Sequence, residues 1–303
     1  MGLATTNILK SLNEKDKGAK KMTSEQLRML QKTLLEMMDD FDKVCKKNKI
    51  SYMLGGGSCL GAVRHKGFIP WDDDMDLNIS RNDFEKLKRC YNHSLSQKYW
   101  LHYPEKKQNY GLSTSSLRKK GTIYRSVSDL CKNDEDGIFI DLCIIENTYD
   151  NAIMRNIHGF LSISLGLIVS CRRFFKYRKA FMRMASSDKK AKRVFRTKIF
   201  LGALVAWLPT NSWARLWNKV NKMCKNNKSK YVVIPTGRKH FFGELYERKV
   251  LCDYVYRPFE KISLPITKAS DIYLTQLYGA DYMVVPPKNK RESHIFLELS
   301  FGQ

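Results

Sequence analysis

Carboxylates are scarce in this chain of 303 residues: 30 Asp and Glu face 54 Lys and Arg, for a formal charge of +24. A surplus of that size asks for an anionic partner, whether nucleic acid, an anionic membrane surface or phosphorylated substrates. No two of the eight cysteines stand at a C-x-x-C spacing, which removes the usual zinc and redox motifs. The thiols, scattered from Cys45 to Cys252, read as free cysteines of a reducing cytoplasm. No continuous apolar run attains the roughly 18–20 residues of a membrane-spanning helix. The opening MGLATTNILKSLNEKDKGAKK has none of the apolar stretch that a signal peptide carries. Internal repeats and low-complexity tracts are missing too, so a solenoid or array is excluded.

What is present suits a globular protein. Apolar residues make up 43% and aromatics 12%, ample for one large domain or two smaller ones. Residues 1–22 read as a flexible polar lead-in. From Thr23 the apolar positions Leu27, Leu30, Leu34, Met37, Met38, Phe41 and Val44 recur at helical steps to about Lys47, with Thr23 and Gln26 as a capping box. A short strand SYML (51–54) enters a glycine turn, and 58–63 reads as a helix start. MDLNI (75–79) reads as a strand, 81–95 as an amphipathic helix, and 122–125 and 138–145 as further strands. After residue 230, short β-prone runs alternate with Gly and Pro turns. DIYLTQLYG (271–279) predicts a helix closed by glycine, and the last twenty residues read as loop and tail. Mixed strands and helices predict an α+β (mixed α/β) catalytic core over 23–150, completed by 231–303.

Residues 151–230 stand apart as a basic helical insertion. Two apolar runs, 160–171 and 199–209, flank a stretch (172–198) with twelve Lys and Arg and the single acid Asp188. Such a pattern fits a segment lying on an anionic membrane face. The other reading is a buried helical pair with a solvated basic connection.

The densest chemistry lies in GGGSCLGAVRHKGFIPWDDDMDL (55–77). Four aspartates crowded into one short stretch repel one another and ask for a cation. On an extended chain Asp72, Asp74 and Asp76 share one face and Asp73 takes the other. Paired carboxylates suit Mg²⁺ or Mn²⁺, and can also act as general acid and base. The glycines favour the first use, since Gly55-Gly56-Gly57-Ser58 between strand and helix lets backbone N–H groups approach a phosphate. Arg64, His65 and Lys66 supply cations a few residues on. Asp141, in the apolar strand GIFIDLCIIE, is expensive unless paired or metal-bound, and is the candidate third carboxylate.

This block resembles the signature of the LicD family, which also takes in the fukutin-related proteins and belongs to the nucleotidyltransferase-fold superfamily. The likeness continues through RNDFEKL (81–87), FIDLCIIE, FFGELYERKVLCDYVYRPFE (241–260), YLTQLYGADYMVVPP (273–287) and the pair Lys290 and His294, about two thirds of the chain. It implies transfer of a phospho-alcohol, typically phosphocholine from CDP-choline, to a sugar hydroxyl of a surface glycan. It implies further that Gly56, Gly57 and Ser58 hold the donor phosphates and that Asp74 and Asp76 bind Mg²⁺ or Mn²⁺. Asp141 completes the site as ligand or base. Arg64 and Lys66 neutralise phosphate charge, with Arg238, Lys239 and His294 as further candidate contacts. Trp71 either stacks on a base or a choline ammonium or is a packed corner. Fifteen residues separate Ser58 from Asp74, longer than the superfamily's usual gap.

The expected protein is therefore a cytoplasmic enzyme, peripheral on the inner membrane face, with a CDP-alcohol donor, a glycan or lipid-linked glycan acceptor and no nucleic-acid partner. The competing readings are nucleotide transfer to a sugar or small molecule and a non-catalytic basic membrane- or nucleic-acid-binding protein. No zinc finger or RNP-like strand supports nucleic acid.

Overall fold

The computed structural model describes residues 8, 12, 20–104, 114–126, 135–186, 188–288, 291 and 295–302. After a two-residue strand, β1 (Lys20–Lys21), comes the long helix α1 (Ser24–Lys47). Thr23 Oγ1 accepts from Gln26 N–H at 3.1 Å, and Gln26 Oε1 accepts from Thr23 N–H at 3.0 Å, closing the expected capping box. Leu30, Leu34, Met37, Met38, Phe41 and Cys45 form its buried stripe against the sheet.

There follow β2 (Tyr52–Leu54), helix α2 (Gly56–Arg64), β3 (Asp76–Ser80), helix α3 (Arg81–Ser94), β4 (Tyr99–His102), β5 (Ser115–Lys119), β6 (Ile123–Ser126) and β7 (Phe139–Asn147). A layer of four helices follows: α4 (Ala152–Lys176), α5 (Arg178–Met184), α6 (Lys189–Leu204) and α7 (Thr210–Asn221). The chain then returns through β8 (Tyr231–Val233), α8 (His240–Gly243), β9 (Leu245–Glu247), α9 (Arg248–Cys252), the hairpin β10 (Tyr254–Phe259) and β11 (Ile262–Thr267), α10 (Ser270–Tyr278) and β12 (Ile295–Ser300). The central mixed sheet runs β2-β3-β7-β5-β4, with β8 pairing β7 and β9 pairing β8. Only β3 and β7 pair in parallel there, with Asp76 opposite Asp141. This is the expected mixed α+β class.

Three local expectations are corrected. Helix α2 begins at Gly56, inside the glycine turn, instead of at Ser58. The C-terminal tail is not loop throughout, because β12 pairs with β6 and with β1, and Glu298 forms an ion pair with Arg125. The backbone N–H and C=O groups of that edge gain ladder hydrogen bonds this way. The lead-in is engaged at its described positions: Lys20 and Lys21 pair with β12, and Leu12 is buried against Phe174, Phe181 and Phe195.

The basic stretch between the apolar runs is not a connection but is itself helical, forming the end of α4, α5 and the start of α6. Phe174 stacks on Phe181 at 3.9 Å between ring centroids, with Phe195 edge-on to both. Gly202 permits the close approach of α4 and α6, since a Cβ there would stand 2.2 Å from Cys171 O. Among the described residues α4 alone is long and apolar enough to cross a membrane by length and composition, its apolar character extending beyond the continuous run.

Candidate active site

The site forms where β2 hands over to α2. Gly55 extends the ladder, its N–H donating to Asp76 O at 2.8 Å, and caps the helix in an extended conformation. Gly56 takes φ +41°, a left-handed setting that favours glycine. Space demands glycine as well: a Cβ at Gly56 would stand 2.8 Å from Asp76 Oδ2, and one at Gly57 2.9 Å from Asp72 Oδ2. Two carboxylates thus press against the turn.

Asp72, Asp74 and Asp76 line one cavity of about 410 Å³ with Gly56 and Gly57. Asp73 turns away from it, is buried, and accepts from the Tyr124 hydroxyl at 2.6 Å. The alternation expected of a strand is met although the strand starts only at Asp76. Carboxylate oxygens of Asp72, Asp73 and Asp74 lie within 4.8 Å of one another, a grouping able to hold a cation. Asp141 enters from the neighbouring strand and lines a smaller cavity of about 170 Å³, which Asp73 and Asp74 share. Asp74 therefore faces both spaces. Burial raises the Asp76 carboxyl well above the usual range, and the charges of Asp74, Asp141 and Asp72 push it the same way.

The opposite wall comes from distant segments. Arg238, Arg291, Glu244, Tyr273, Tyr278 and Tyr282 all line the large cavity. The buried Tyr273 hydroxyl accepts from Gly56 N–H at 2.9 Å and from Asn78 Nδ2 at 3.0 Å. Glu244, 2% exposed, accepts from Lys239 N–H at 2.9 Å, and both its oxygens lie where a Gly237 side chain would go. Burial pushes its carboxyl up to about 7.

The sequence-derived candidates divide accordingly. Gly56, Gly57, Arg64, Trp71, Asp74 and Asp76 are brought together around one cavity, with Asp141 beside it. Gly56, however, has spent its N–H on Tyr273. Ser58 is buried, and its hydroxyl accepts from Asp76 N–H at 2.9 Å, tying α2 to β3 outside the cavity wall. Arg64 donates to the carbonyls of Tyr282 and Val284 at 2.8 and 3.2 Å and to His65 at 2.9 Å, so it fixes the rim loop as well as lining the cavity. Lys66 is exposed and absent from the lining; its carbonyl accepts from Glu260 N–H. Lys239 likewise lies off the wall, its ammonium donating to Gln276 O at 2.6 Å, while its neighbour Arg238 is on it. The Arg291 guanidinium sits over the Trp71 ring at 4.0 Å, and His65 meets that ring edge-on. His294 falls outside the described residues.

Sequence reasoning assigned no role to Tyr273, Tyr278, Glu244 or Arg291. The tyrosine spacing in YLTQLYGADY was the available signal, but nothing local says that α10 packs on the glycine turn.

A family model described as LicD/FKTN/FKRP, nucleotidyltransferase domain, matches residues 49–157. The lipopolysaccharide cholinephosphotransferase LicD of Haemophilus influenzae is 26% identical over 294 residues, which covers 91% of this chain and 97% of that protein. The human ribitol 5-phosphate transferase FKRP is 56% identical over 34 residues, 11% of this chain and 7% of the relative. An uncharacterized protein of Rickettsia prowazekii, RP689, is 45% identical over 51 residues, 17% of this chain and 19% of its own length.

Proposed function

The chain belongs to the LicD family, and from that premise we propose that it transfers phosphocholine, or a related phospho-alcohol, from a CDP-linked donor to a sugar hydroxyl. The acceptor is a glycan of the cell surface under assembly, free or carried on lipid; the similarity to a lipopolysaccharide cholinephosphotransferase supports a glycan acceptor. The enzyme works in the cytoplasm against an anionic membrane surface, with 23–150 and 231–303 as its catalytic core.

One observation carries the chemistry: the glycine turn lies against Asp76 and Asp72, so backbone able to approach a donor phosphate and carboxylates that would hold a cation stand side by side. The cavity wall holds the carboxylates of Asp72, Asp74, Asp76, Asp281 and Glu244 against the guanidiniums of Arg64, Arg238 and Arg291. A donor phosphate that approaches an ionised carboxylate of that wall without a cation meets repulsion of about 4 kcal/mol for a unit pair at 4 Å in a medium of intermediate dielectric. A divalent ion fits beside the turn, because oxygens of Asp72, Asp73 and Asp74 converge within 4.8 Å, and burial and the charges of Asp74, Asp141 and Asp72 raise the Asp76 carboxyl. Asp74 and Asp76 would hold it, leaving Asp141 beside them as the base. When bound, Mg²⁺ or Mn²⁺ offsets charge on the diphosphate during transfer.

The remaining steps belong to the chain's own groups. Gly57 and the start of α2 approach the donor phosphates, with Gly56 locked in place by Tyr273. Arg238, from the opposite wall, and Arg64, at the end of α2, neutralise phosphate charge. Asp141 takes the proton of the attacking sugar hydroxyl, the bond to the phospho-alcohol phosphorus forms, and CMP leaves.

The test is incubation of the protein with Mg²⁺, an oligosaccharide acceptor and a panel of CDP-alcohols, following CMP release. Release that depends on both acceptor and alcohol supports the reading. Release of pyrophosphate from nucleoside triphosphates, with CDP-alcohols inert, makes it a nucleotide transferase instead.

A further inference from the structure

Charge on this chain is segregated far beyond the basic stretch. From Asn151 to Gly243 there are 21 Lys and Arg and a single acid, Asp188. The same segment carries a long exposed apolar face. On α4, Ile153, Ile157 and Phe160 follow one another at four- and three-residue steps, Leu167 comes two turns further on, and all are exposed, Phe160 by 70%. The end of α6 and the turn after it add Phe200, Leu204 and Trp207, the last 71% exposed. Gly202 against Cys171 holds α6 to α4.

The other side of α4 is committed to protein. Thr148 donates to His158 Nδ1 while His158 Nε2 donates to Val220 O, and Ser162 donates to Asn221. Near its C-terminal end, Lys198 of α6 donates to Ser170. A spanning helix would need an apolar surface all round, whereas α4 has one apolar face and one polar, packed face. Along α6 the exposed positions turn from basic to apolar, with Lys189, Lys190, Arg193 and Arg196 preceding Phe200 and Leu204. Apolar residues beside cations with no acids between them match the acyl boundary and phosphate layer of an anionic bilayer.

The segment that carries Arg238 also touches α4. The half-exposed Phe242 ring lies on Gly159 of α4, where a Cβ would stand 2.4 Å from it. Four residues before Phe242, Arg238 lines the cavity wall.

We propose that the exposed face of α4 and the end of α6 dock the chain, as a peripheral protein, on an anionic lipid bilayer. Lys189, Lys190, Arg193 and Arg196 meet the headgroups, and Phe160, Leu204 and Trp207 enter the acyl boundary. Docking places the Arg238 side of the cavity next to lipid, where a lipid-carried acceptor arrives. Only that last purpose rests on the transfer reading; the docking itself does not.

The experiment is co-sedimentation of the full chain with vesicles of equal parts phosphatidylglycerol and phosphatidylcholine, against pure phosphatidylcholine. The chain partitions to the anionic vesicles and is released by alkaline carbonate. F160E/W207E and K189E/R193E, checked for native melting, each lower partitioning at least about tenfold. Asp76→Asn partitions as the unaltered chain does, so loss of transfer and loss of docking are read separately. Docking is overturned by unchanged partitioning of both double variants, by equal affinity for neutral vesicles, or by carbonate-resistant insertion. It is equally overturned if the chain ignores vesicles and forms a dimer that F160E/W207E dissociates.

Discussion

Asp76 and Asp141 stand opposite each other in register on β3 and β7, the one parallel pair of the central sheet. Register partners point to the same face, so two carboxylates are held together by the backbone itself. With no cation bound they destabilise the fold. Asp76→Asn therefore raises the melting temperature of metal-free protein by about 2–4 °C, the shift that roughly 1 kcal/mol produces in a chain this size. The same change abolishes transfer. Calorimetry with and without Mg²⁺ or Mn²⁺ checks it: the ion stabilises the unaltered protein and leaves the variant unmoved. Equal ion responses in the two proteins would sink the cation assignment.

Gly56 and Gly57 separate backbone strain from crowding. Gly56→Ala forces a side chain into φ +41° and onto Asp76 Oδ2, costing about 1–2 kcal/mol in urea titration together with most activity. Gly57→Ala meets Asp72 at 2.9 Å without the left-handed φ, so activity falls with a smaller loss of stability. Equal stability costs would contradict this division.

Tyr273 holds the turn from outside. Tyr273→Phe leaves the Gly56 N–H and the buried Asn78 amide without their common acceptor. Unfolding free energy falls by about 1–3 kcal/mol. The turnover number drops while the donor KM changes less, because the hydroxyl positions the turn without touching the donor. Steady-state kinetics showing a pure KM effect would argue otherwise.

Glu244 gives the fold a pH signature. Its carboxyl is raised by burial to about 7, so folding favours its protonated form. That contribution is fully present below the unfolded value near 4.5 and is lost as the pH rises through about 7. Stability accordingly declines across that window. Glu244→Gln keeps an acceptor for the Lys239 N–H and flattens the decline, as chemical denaturation at several pH values will show. A slope unchanged by the substitution would move its origin elsewhere.

Arg238 and Lys239 are neighbours with different surroundings. Arg238→Ala raises the KM for the CDP-alcohol about tenfold through a lost charge-assisted contact. Lys239→Ala leaves it within about twofold, because that ammonium is bonded to Gln276 O across from the cavity. Reversed effects would return the phosphate contact to Lys239.

Much of the molecule is written in local pattern. The stripe of α1, its capping box, the strand ending in a glycine turn and the division of Asp73 from Asp72, Asp74 and Asp76 all follow from periodicity and short-range sterics. Those signals repeat within a few residues, so the chain displays them before it folds. The family signature lies in the same stretch. Other features depend on partners distant in sequence. Strand β12 looks like tail until β6 offers it an edge. Ser58 and Lys66 look like phosphate ligands until burial and the path of the loop take them off the wall. Tyr273 and Glu244 join the site only because α10 and the 237–244 loop pack against the glycine turn. Sequence by itself determined α1, the strand leading into the glycine turn and the clustering of aspartates beside it. Tertiary structure decided which side chains share a cavity, since burial and hydrogen-bond partners across the fold are not encoded in spacing along the chain.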